Sequence, residues 1–268
     1  MEYDPIKRKL GIWFNRKPFL RKFFYKLLDI LLLRTWHIKK EIKRWGKLTT
    51  GAKTILDAGS GFGQYSYYLS SSSEQWNITG IDVKEEQTED CNTFFSRINR
   101  KGVHFETGDL TVFRKENSFD LILSVDVMEH ISEDRLVFDH FYHSLKQDGV
   151  LLVSTPSDQG GSDAHDHEEG SFIGEHVRNG YSIEDITEKL SGAGFKDILV
   201  RYSYGKYGQL SWRLSMKYPI LMLNASKVLI IFLPFYYLLV FPFCLLLNTL
   251  DVSIVQKSGT GLIVKAIK

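Results

Sequence analysis

The residues best suited to chemistry form a glycine-rich turn and a series of acids that end short apolar runs. The turn reads DAGSGFG (residues 57–63) and closes the first of these runs. Glycines in such a turn let the backbone bend tightly and approach a ligand closely at the start of a helix. Asp82 ends the second run, where a carboxylate can accept hydrogen bonds from both hydroxyls of a ribose, and Asp109 ends the third. Together they predict a nucleotide-like ligand.

A second group of reactive side chains follows the fourth run, in the sequence DVMEH. If this turn opens a helix, Asp126, Glu129 and His130 share one face, because they stand three and four residues apart. Two carboxylates and an imidazole on one face can hold a divalent metal ion, or act as a base and the group that orients it. The alternative is that Glu129 and His130 only cap the helix and pack beneath the ligand.

A stretch rich in His and Glu follows the fifth run, in HDHEEGSFIGEHVRNGYS (residues 165–182). Because it follows a strand end, it can overhang the same pocket. Its Glu-His-Val-Arg segment before Tyr-Ser resembles one common in quinone-type methyltransferases, which implies that His176 faces that pocket, whereas we expect His165 and His167 to lie in a solvated loop.

Short runs rich in β-branched and aromatic residues supply the strands that position these groups. They begin at Thr54 and then cover residues 77–83, 103–109, 119–125, 149–155, 197–203 and 261–267. Helix-length segments separate them, a pattern typical of a parallel sheet with crossover helices. Residues 181–195 predict one such helix, with Ser182 as its N-cap and Gly192 or Gly194 at its end.

The N-terminal part of the chain differs in charge from the rest. Residues 1–47 hold 14 Lys/Arg and 4 Asp/Glu, although the whole chain has a net charge of only +2. Within residues 19–33, apolar side chains recur at helical spacing, at Leu20, Phe23, Phe24, Leu27 and Leu31. Such a basic amphipathic helix either lies on a membrane surface or packs on its own domain. A stripe suits a membrane better than nucleic acid, which would need spread stacking platforms.

An uncharged stretch, residues 228–250, separates the last two strands. It is long enough to cross a bilayer, which needs about 20 apolar residues. A single crossing would put the last strand on the far side of the membrane. Pro234 and Pro242 favour bends, so we expect a re-entrant or interfacial helical hairpin. The alternative is a lid that packs on the domain or on a partner subunit.

These motifs resemble those of class I S-adenosylmethionine-dependent methyltransferases. The likeness rests on ILDAGSGFG, IDV, TGDL, FDLILSVDVMEHI and LKQDGVLLVSTPS, and covers roughly residues 53–195 plus the final strand. It implies an α/β, Rossmann-like sheet of seven mostly parallel strands with the last antiparallel, and helices on both faces. An N-terminal amphipathic helix and an apolar helical insert between the last two strands would be added to this sheet. The domain boundaries expected are a basic arm over 1–50 and a methyltransferase domain over 51–268, with the insert at about 208–256.

The resemblance also implies roles for individual residues. S-adenosylmethionine would be held by residues from the first four strand ends: Asp57, Gly59, Gly61, Gly63, Asp82, Val83, Asp109, Leu110 and Ser124. Within this set, Asp82 would bind the ribose, Asp109 the adenine amino group and Leu110 the adenine ring, with Ser124 beneath the sulfonium. Asp126, His130 and His176 would serve catalysis.

The DVMEH motif is similar to the acid-x-x-Glu-His motif of quinone-biosynthesis-type (methyltransferase type 11/23) O-methyltransferases and of RNA 2′-O-methyltransferases. In those enzymes the motif binds a metal. The resemblance therefore makes Asp126, Glu129 and His130 candidate ligands of a divalent ion as well. Those families usually carry Glu at the first position, where this chain has the shorter Asp126.

The function expected is therefore O-methylation of a membrane-associated amphipathic acceptor, either quinol-like or a lipid-linked glycan. The protein would be cytoplasmic and associated with the inner face of the membrane. Its two cysteines show no disulfide pattern, which also indicates a reducing compartment. The alternatives are a soluble small molecule or RNA as acceptor, or a non-catalytic nucleotide-binding module. A dinucleotide oxidoreductase would usually show Gly-x-Gly-x-x-Gly, whereas this turn reads Gly-x-Gly-x-Gly.

Overall fold

The computed structural model describes residues 17–160 and 177–268. In these ranges seven strands form one sheet in the order β3-β2-β1-β4-β5-β7-β6. The strands are β1 (Lys53–Ala58), β2 (Trp76–Asp82), β3 (Val103–Thr107), β4 (Phe119–Val125), β5 (Leu145–Pro156), β6 (Lys196–Ser203) and β7 (Gly261–Ile267). Strands β1 to β5 pair in parallel, and β7 pairs antiparallel with both β5 and β6. The predicted fold class is confirmed.

Helices cover both faces of the sheet. They are α1 (Pro18–Leu31), α2 (Leu33–Leu48), α3 (Gln64–Ser72), α4 (Glu85–Arg97), α5 (Asp134–Ser144), α6 (Ile183–Ala193), α7 (Lys206–Trp212), α8 (Tyr218–Ala225) and α9 (Leu233–Ser253). Because side chains alternate across a strand, Ile55 packs in one apolar layer and its neighbour Leu56 in the other. Helix α6 begins and ends as predicted: the Ser182 hydroxyl accepts from the Asp185 amide, and Gly194 follows in the left-handed region.

The N-terminal helices pack on the domain, and α1 leaves part of its predicted apolar stripe exposed. Arg21 and Tyr25 are buried, whereas Phe23 and Leu27 of the predicted apolar stripe are exposed. Helix α2 inserts Ile38 and its neighbours into the core layer that also contains Ile55. Helix α1 therefore packs on the domain through Arg21, Tyr25 and the half-buried Phe24, and keeps other apolar side chains outside.

The segment between β6 and β7 forms a helical hairpin, as expected, over residues 206–253. Helices α7 and α8, joined by a π-helical segment (Arg213–Lys217), form the first arm, and α9 forms the second. The hydroxyls of Tyr236 and Tyr237 in the second arm donate to backbone carbonyls of the first, at 2.7 and 2.8 Å. Among the described residues, α9 is the helix long and apolar enough to cross a membrane, and only 11% of its most apolar stretch is buried.

Candidate functional site

The glycine-rich turn connects β1 to α3 at the carboxyl edge of the sheet. Gly59 and Gly61 both adopt left-handed φ, +76° and +48°. A Cβ at Gly59 would collide with the methyl groups of Val127, so the turn packs closely against the end of β4. A Cβ at Gly61 would meet no described atom within 4 Å, so the backbone there borders open space. The turn can therefore present its backbone to a ligand.

Asp82 ends β2 beside this turn, where the sequence places a ribose-binding acid. One carboxylate oxygen, Oδ2, accepts from the Gly61 amide at 2.9 Å, and Oδ1 accepts from the Lys84 amide at 3.0 Å. Each carboxylate oxygen has a second lone pair, so Asp82 can still accept two ribose hydroxyls. The same carboxylate thus holds the glycine turn in place and is available to a sugar. Val83, the next residue, is 59% exposed at this edge.

Asp109 and Leu110 follow β3 and differ in exposure. Asp109 is exposed, and its Oδ1 accepts from both the amide and the hydroxyl of Thr111, each at 2.8 Å. Leu110 is buried in the core layer, and its carbonyl lies 3.2 Å from His140 Nδ1. Asp109 therefore offers an exposed carboxylate held in place by Thr111, next to a buried leucine.

Three further residues at this edge are buried. Asp57 is 2% exposed and accepts a 2.6 Å hydrogen bond from the Ser66 hydroxyl of α3; its burial raises its pKa to about 6. Asp57 therefore links the start of the glycine turn to helix α3. The hydroxyls of Ser60 and Ser124 have no hydrogen-bond partner among the described residues. Buried polar groups are normally paired, so these two hydroxyls fit a site that a polar ligand completes.

Asp126, after β4, is held by a residue from the N-terminal arm. Its Oδ2 forms an ion pair with the Arg34 guanidinium of α2 at 2.9 Å. The backbone amide of Arg34 in turn donates to the hydroxyl of Tyr204, just after β6, at 3.2 Å. Burial by itself would lower the pKa of Arg34. The neighbouring Asp126 carboxylate, together with Tyr204 and Tyr65, outweighs this effect and raises the pKa above its usual value. Arg34 therefore joins the end of β4 to the root of the hairpin.

Glu129 lies near the Arg34–Asp126 ion pair and is only 1% exposed. Its Oε2 accepts a 3.1 Å hydrogen bond from the Thr155 hydroxyl of β5. Burial and the nearby Asp126 carboxylate raise the pKa of Glu129 to about 8. At neutral pH this side chain is therefore largely a neutral carboxylic acid, which can donate one hydrogen bond as well as accept others.

The expectation that Asp126, Glu129 and His130 share one helical face is wrong. Asp126 adopts a left-handed φ of 53°, and only Met128–His130 forms a single 3-10 turn. Glu129 points into the core and His130 is exposed, because the short turn sends successive side chains in different directions. The part of the chain that the structure describes contains no group of three or more His, Cys, Asp or Glu able to share a metal ion. This arrangement does not support the metal prediction.

His176, the third candidate for catalysis, lies outside the described residues, as do His165 and His167. The segment that follows is tied to the site: the Val177 amide donates to the Glu129 carbonyl at 3.1 Å. Arg178 and Lys189 both bond to the buried Asp134 at the start of α5. Their attraction and a hydrogen bond from Tyr181 hold the pKa of Asp134 below its usual value, against the opposing effect of burial.

Sequence reasoning missed the residues of α1 that hold the glycine turn. The buried Arg21 guanidinium donates to the Phe62 carbonyl at 2.8 Å and to Asp90 Oδ2 at 2.5 Å. The Tyr25 hydroxyl donates to the same carbonyl. An arginine one turn before a tyrosine inside a basic amphipathic helix carries no local sign of such a role, so only the packing of α1 shows it.

Comparison with solved structures places this fold among S-adenosylmethionine-dependent methyltransferases. Phosphoethanolamine N-methyltransferase 2 of Haemonchus contortus, in complex with S-adenosyl-L-methionine, superposes with a TM-score of 0.57 at 18% identity, over 82% of this chain and 49% of that one. An S-adenosylmethionine-dependent methyltransferase from Mesorhizobium loti gives 0.52 at 18% identity, over 81% of this chain and 92% of that one. At these identities the likeness concerns the fold alone.

Sequence comparison reaches the same class. Phosphoethanolamine N-methyltransferase 1 of Triticum aestivum is 29% identical over 161 residues, 57% of this chain and 30% of that protein. A malonyl-[acyl-carrier protein] O-methyltransferase of Bacillus anthracis is 32% identical over 101 residues, 38% of this chain and 36% of that protein. The chain thus matches about a third of the length of each.

The family model for a methyltransferase domain matches residues 49–192, more than half of the chain. The protein therefore belongs to this methyltransferase family. The glycine turn, Asp82 and Asp109 fit S-adenosylmethionine, because they bring backbone amides and carboxylates to one open edge of the sheet.

Proposed function

We propose that this methyltransferase O-methylates an amphipathic acceptor, such as a quinol or a lipid-linked glycan, at a membrane surface. The observation that carries the proposal is the position of the apolar hairpin. It begins after the carboxyl end of β6 and returns to the start of β7, and both points lie at the edge that also carries the glycine turn. Tyr204 at its root contacts Arg34, which pairs with Asp126.

The hairpin exposes more apolar surface than a soluble domain normally leaves uncovered. Phe235 is 67% exposed and Leu238 is 75% exposed, and both belong to the first two turns of the long helix α9. Further exposed apolar side chains along the hairpin are Ile220, Leu221, Val228, Ile230, Ile231, Phe232, Leu239, Phe243 and Leu246. Contiguous apolar patches of this kind mark an interaction site with a protein or a membrane.

The shape of the hairpin favours entry from one side of a membrane. Its backbone turns at Ser226 and in a 3-10 segment, Lys227–Ile231, so the exposed apolar residues at the turn form the tip. Helix α9 has 21 residues and is therefore about 30 Å long. Because β6 and β7 belong to one sheet, both arms must leave and re-enter on the same side. A re-entrant or interfacial hairpin satisfies this topology.

Helix α1 adds a second apolar surface. Phe19, Phe23, Leu27 and Ile30 are exposed along it, at spacings that place them on one side of the helix. Lys22 and Lys26 flank them, which is the composition of a helix lying in a membrane interface. Asp29 near the end of α1 and Val252 at the base of the hairpin border one groove, so the end of α1 lies beside the base of the hairpin.

The chain's own residues would divide the work of methyl transfer. The cofactor supplies a methyl group made electrophilic by sulfonium, so the protein mainly aligns an acceptor behind it. Asp82 and the glycine turn would hold the sugar and the methionine end. A hydroxyl acceptor must lose a proton, and the exposed His130 at the end of β4 is our candidate base. The Arg34–Asp126 pair would border the acceptor on the other side.

The location is tested by fractionating cells that express the full-length chain. A double variant, Phe232→Ser with Phe235→Ser, removes two exposed aromatic rings near the tip of the hairpin. The matched control, Val112→Ser with Leu136→Ser, changes two exposed apolar residues away from the hairpin. We expect the wild type and the control in the membrane fraction and more of the hairpin variant in the soluble fraction. Wild-type protein that is wholly soluble without detergent would overturn the membrane proposal.

The acceptor is tested by mass spectrometry of lipid extracts from cells with and without the gene. We expect a lipid species that is heavier by one methylene group only when the gene is present. Fragmentation then shows whether the methyl group is on oxygen or nitrogen. A methylated product found only in the aqueous extract would favour a soluble acceptor instead.

A further inference from the structure

A groove of ≈ 500 Å³ lies at the base of the hairpin, on the outer side of α2. We call it the basic groove, because five cationic side chains of α2 line it: Lys39, Lys40, Lys43, Arg44 and Lys47. Their spacing along the helix brings them to one side. Asp29 is the acid that borders the groove with them, so the described lining has a large excess of positive charge.

Local contacts neutralise only part of this charge. Lys39 forms an ion pair with Asp29, and Arg44 forms one with Glu41 at 3.0 Å. Glu41 is also shared with Arg201 at 2.6 Å. Burial, together with the nearby cations Arg44 and Arg201, lowers the pKa of Lys40. The site therefore holds more positive charge than its own acids balance.

Lys43 and Lys47 provide the part of this charge that is accessible from outside. Both side chains are exposed, and in residues 17–160 and 177–268 neither takes part in an ion pair. They stand one helical turn apart, so one anionic group can contact both. An anion with several oxygen atoms, such as a phosphate, matches this arrangement.

The position of the groove relative to the hairpin indicates where such an anion would be. Val252 and Ser253, the last residues of α9, line the groove, and the exposed Leu246 precedes Ser253 by seven positions in the same helix. At 1.5 Å per residue, the groove lies about 10 Å along the helix from Leu246, the last exposed large apolar side chain within α9; the exposed Ile254 and Val255 follow directly after the helix. The headgroup region of a bilayer begins where the apolar region ends and has a thickness of this order.

We propose that the basic groove binds the phosphate headgroup of an anionic phospholipid while the hairpin lies in the apolar region beside it. This proposal rests on the membrane location given under Proposed function and names the lipid class that this surface prefers. Clusters of Lys and Arg beside a membrane-embedded segment attract anionic lipids, each contributing about fivefold in binding. Trp36, which also lines the groove, is of a residue type enriched at membrane interfaces.

Nucleic acid is a less suitable occupant, because one of the two aromatic rings of the groove, Tyr68, is already covered by a lysine. Lys39 Nζ lies over the Tyr68 ring, 4.3 Å from its centroid, where a base would otherwise stack. Trp36 uses its indole N–H to donate to the Ile30 carbonyl at 3.2 Å. Single-stranded nucleic acid is bound through free aromatic faces beside a basic track, and the face of Tyr68 that Lys39 covers is not free.

The experiment measures binding of the full-length protein to two kinds of vesicle, one of phosphatidylcholine alone and one of phosphatidylcholine mixed with phosphatidylglycerol. The groove variant is Lys43→Gln with Lys47→Gln. The matched control is Lys101→Gln with Lys115→Gln, which removes the same charge from two exposed lysines elsewhere. Phosphatidylglycerol should strengthen wild-type binding, and the groove variant should lose about 25-fold of that gain. Its binding to phosphatidylcholine alone should not change.

The outcomes separate this proposal from the hairpin proposal. Equal losses in the groove variant and the control would reduce the effect to net charge and overturn the groove. A groove variant that binds both vesicles like the wild type would also overturn it. A further outcome is that the wild type fails to bind phosphatidylcholine vesicles and yet binds vesicles with phosphatidylglycerol, while the groove variant binds neither. That result would support the groove and contradict membrane insertion of the hairpin. Binding of a labelled RNA strand is measured for the same proteins. If the groove variant loses only RNA binding and keeps vesicle binding, the groove is assigned to nucleic acid and the lipid proposal is overturned.

Discussion

Replacing Glu129 by Gln should make the protein less sensitive to a rise in pH. Glu129 is buried beneath Asp126, and its pKa is raised from 4.5 to about 8. In the unfolded chain this carboxyl ionises near its ordinary value, whereas in the folded protein it stays protonated. The free energy of unfolding that is fully present below pH 4.5 is therefore lost progressively as the pH rises to about 8.

The size of this effect follows from the two pKa values. Each unit of difference corresponds to about 1.4 kcal/mol. At about pH 7 the native state has lost about 3 kcal/mol relative to acid conditions, and at about pH 5 about 1 kcal/mol. Glutamine cannot ionise, and its amide oxygen can still accept from Thr155. The stability of Glu129→Gln relative to the wild type should thus improve by about 2 kcal/mol between these two pH values.

Urea unfolding of both proteins at about pH 5 and about pH 7 measures this difference directly. Glu89→Gln, at an exposed position of α4, is the matched control and should follow the wild type at both pH values. If the stability difference between Glu129→Gln and the wild type is the same at both pH values, Glu129 is not held protonated in the fold. The reasoning from its burial would then be refuted.

Three further substitutions test the site. Asp82→Ala should weaken S-adenosylmethionine binding by about 1.5–3 kcal/mol in calorimetry, and unchanged binding would remove Asp82 from the cofactor site. Arg21→Met should cost about 1–3 kcal/mol of unfolding free energy and also weaken cofactor binding, because the Phe62 carbonyl loses a donor. A loss of stability without a loss of binding would limit α1 to a structural role. His130→Ala should lower turnover by about 10²–10⁴-fold with little change in cofactor affinity, and normal turnover would exclude it as the base.

Local patterns carried much of the fold. Strands β1 to β7 could be located because each is a short run rich in β-branched and aromatic residues, and α6 because a cap and a glycine bracket it. The hairpin followed from topology: a sheet that contains both β6 and β7 cannot tolerate a single crossing between them. In these cases the signal lies within a few neighbouring residues or in the order of the elements.

The turn after β4 shows where such patterns fail. Spacing alone put Asp126, Glu129 and His130 on one helical face, but Asp126 adopts a left-handed conformation and the helix does not form there. The choice between a helix and a short turn depends on what packs around the segment. Here Val127 fills the space beside Gly59, and the Asp126 amide donates to the Ser154 carbonyl of β5 at 2.8 Å.

By itself, the sequence determined the methyltransferase family through its motifs, and it brought the glycines and acids to one edge of the sheet, because the carboxyl ends of parallel strands meet there. Only the tertiary structure decided that Arg34 pairs with Asp126 and that α1 buries Arg21 while Phe23 and Leu27 of its apolar stripe stay exposed. These contacts join residues far apart in the chain. Their energy depends on burial and on partners that arrive with folding, and neither quantity is encoded in the spacing of neighbouring residues.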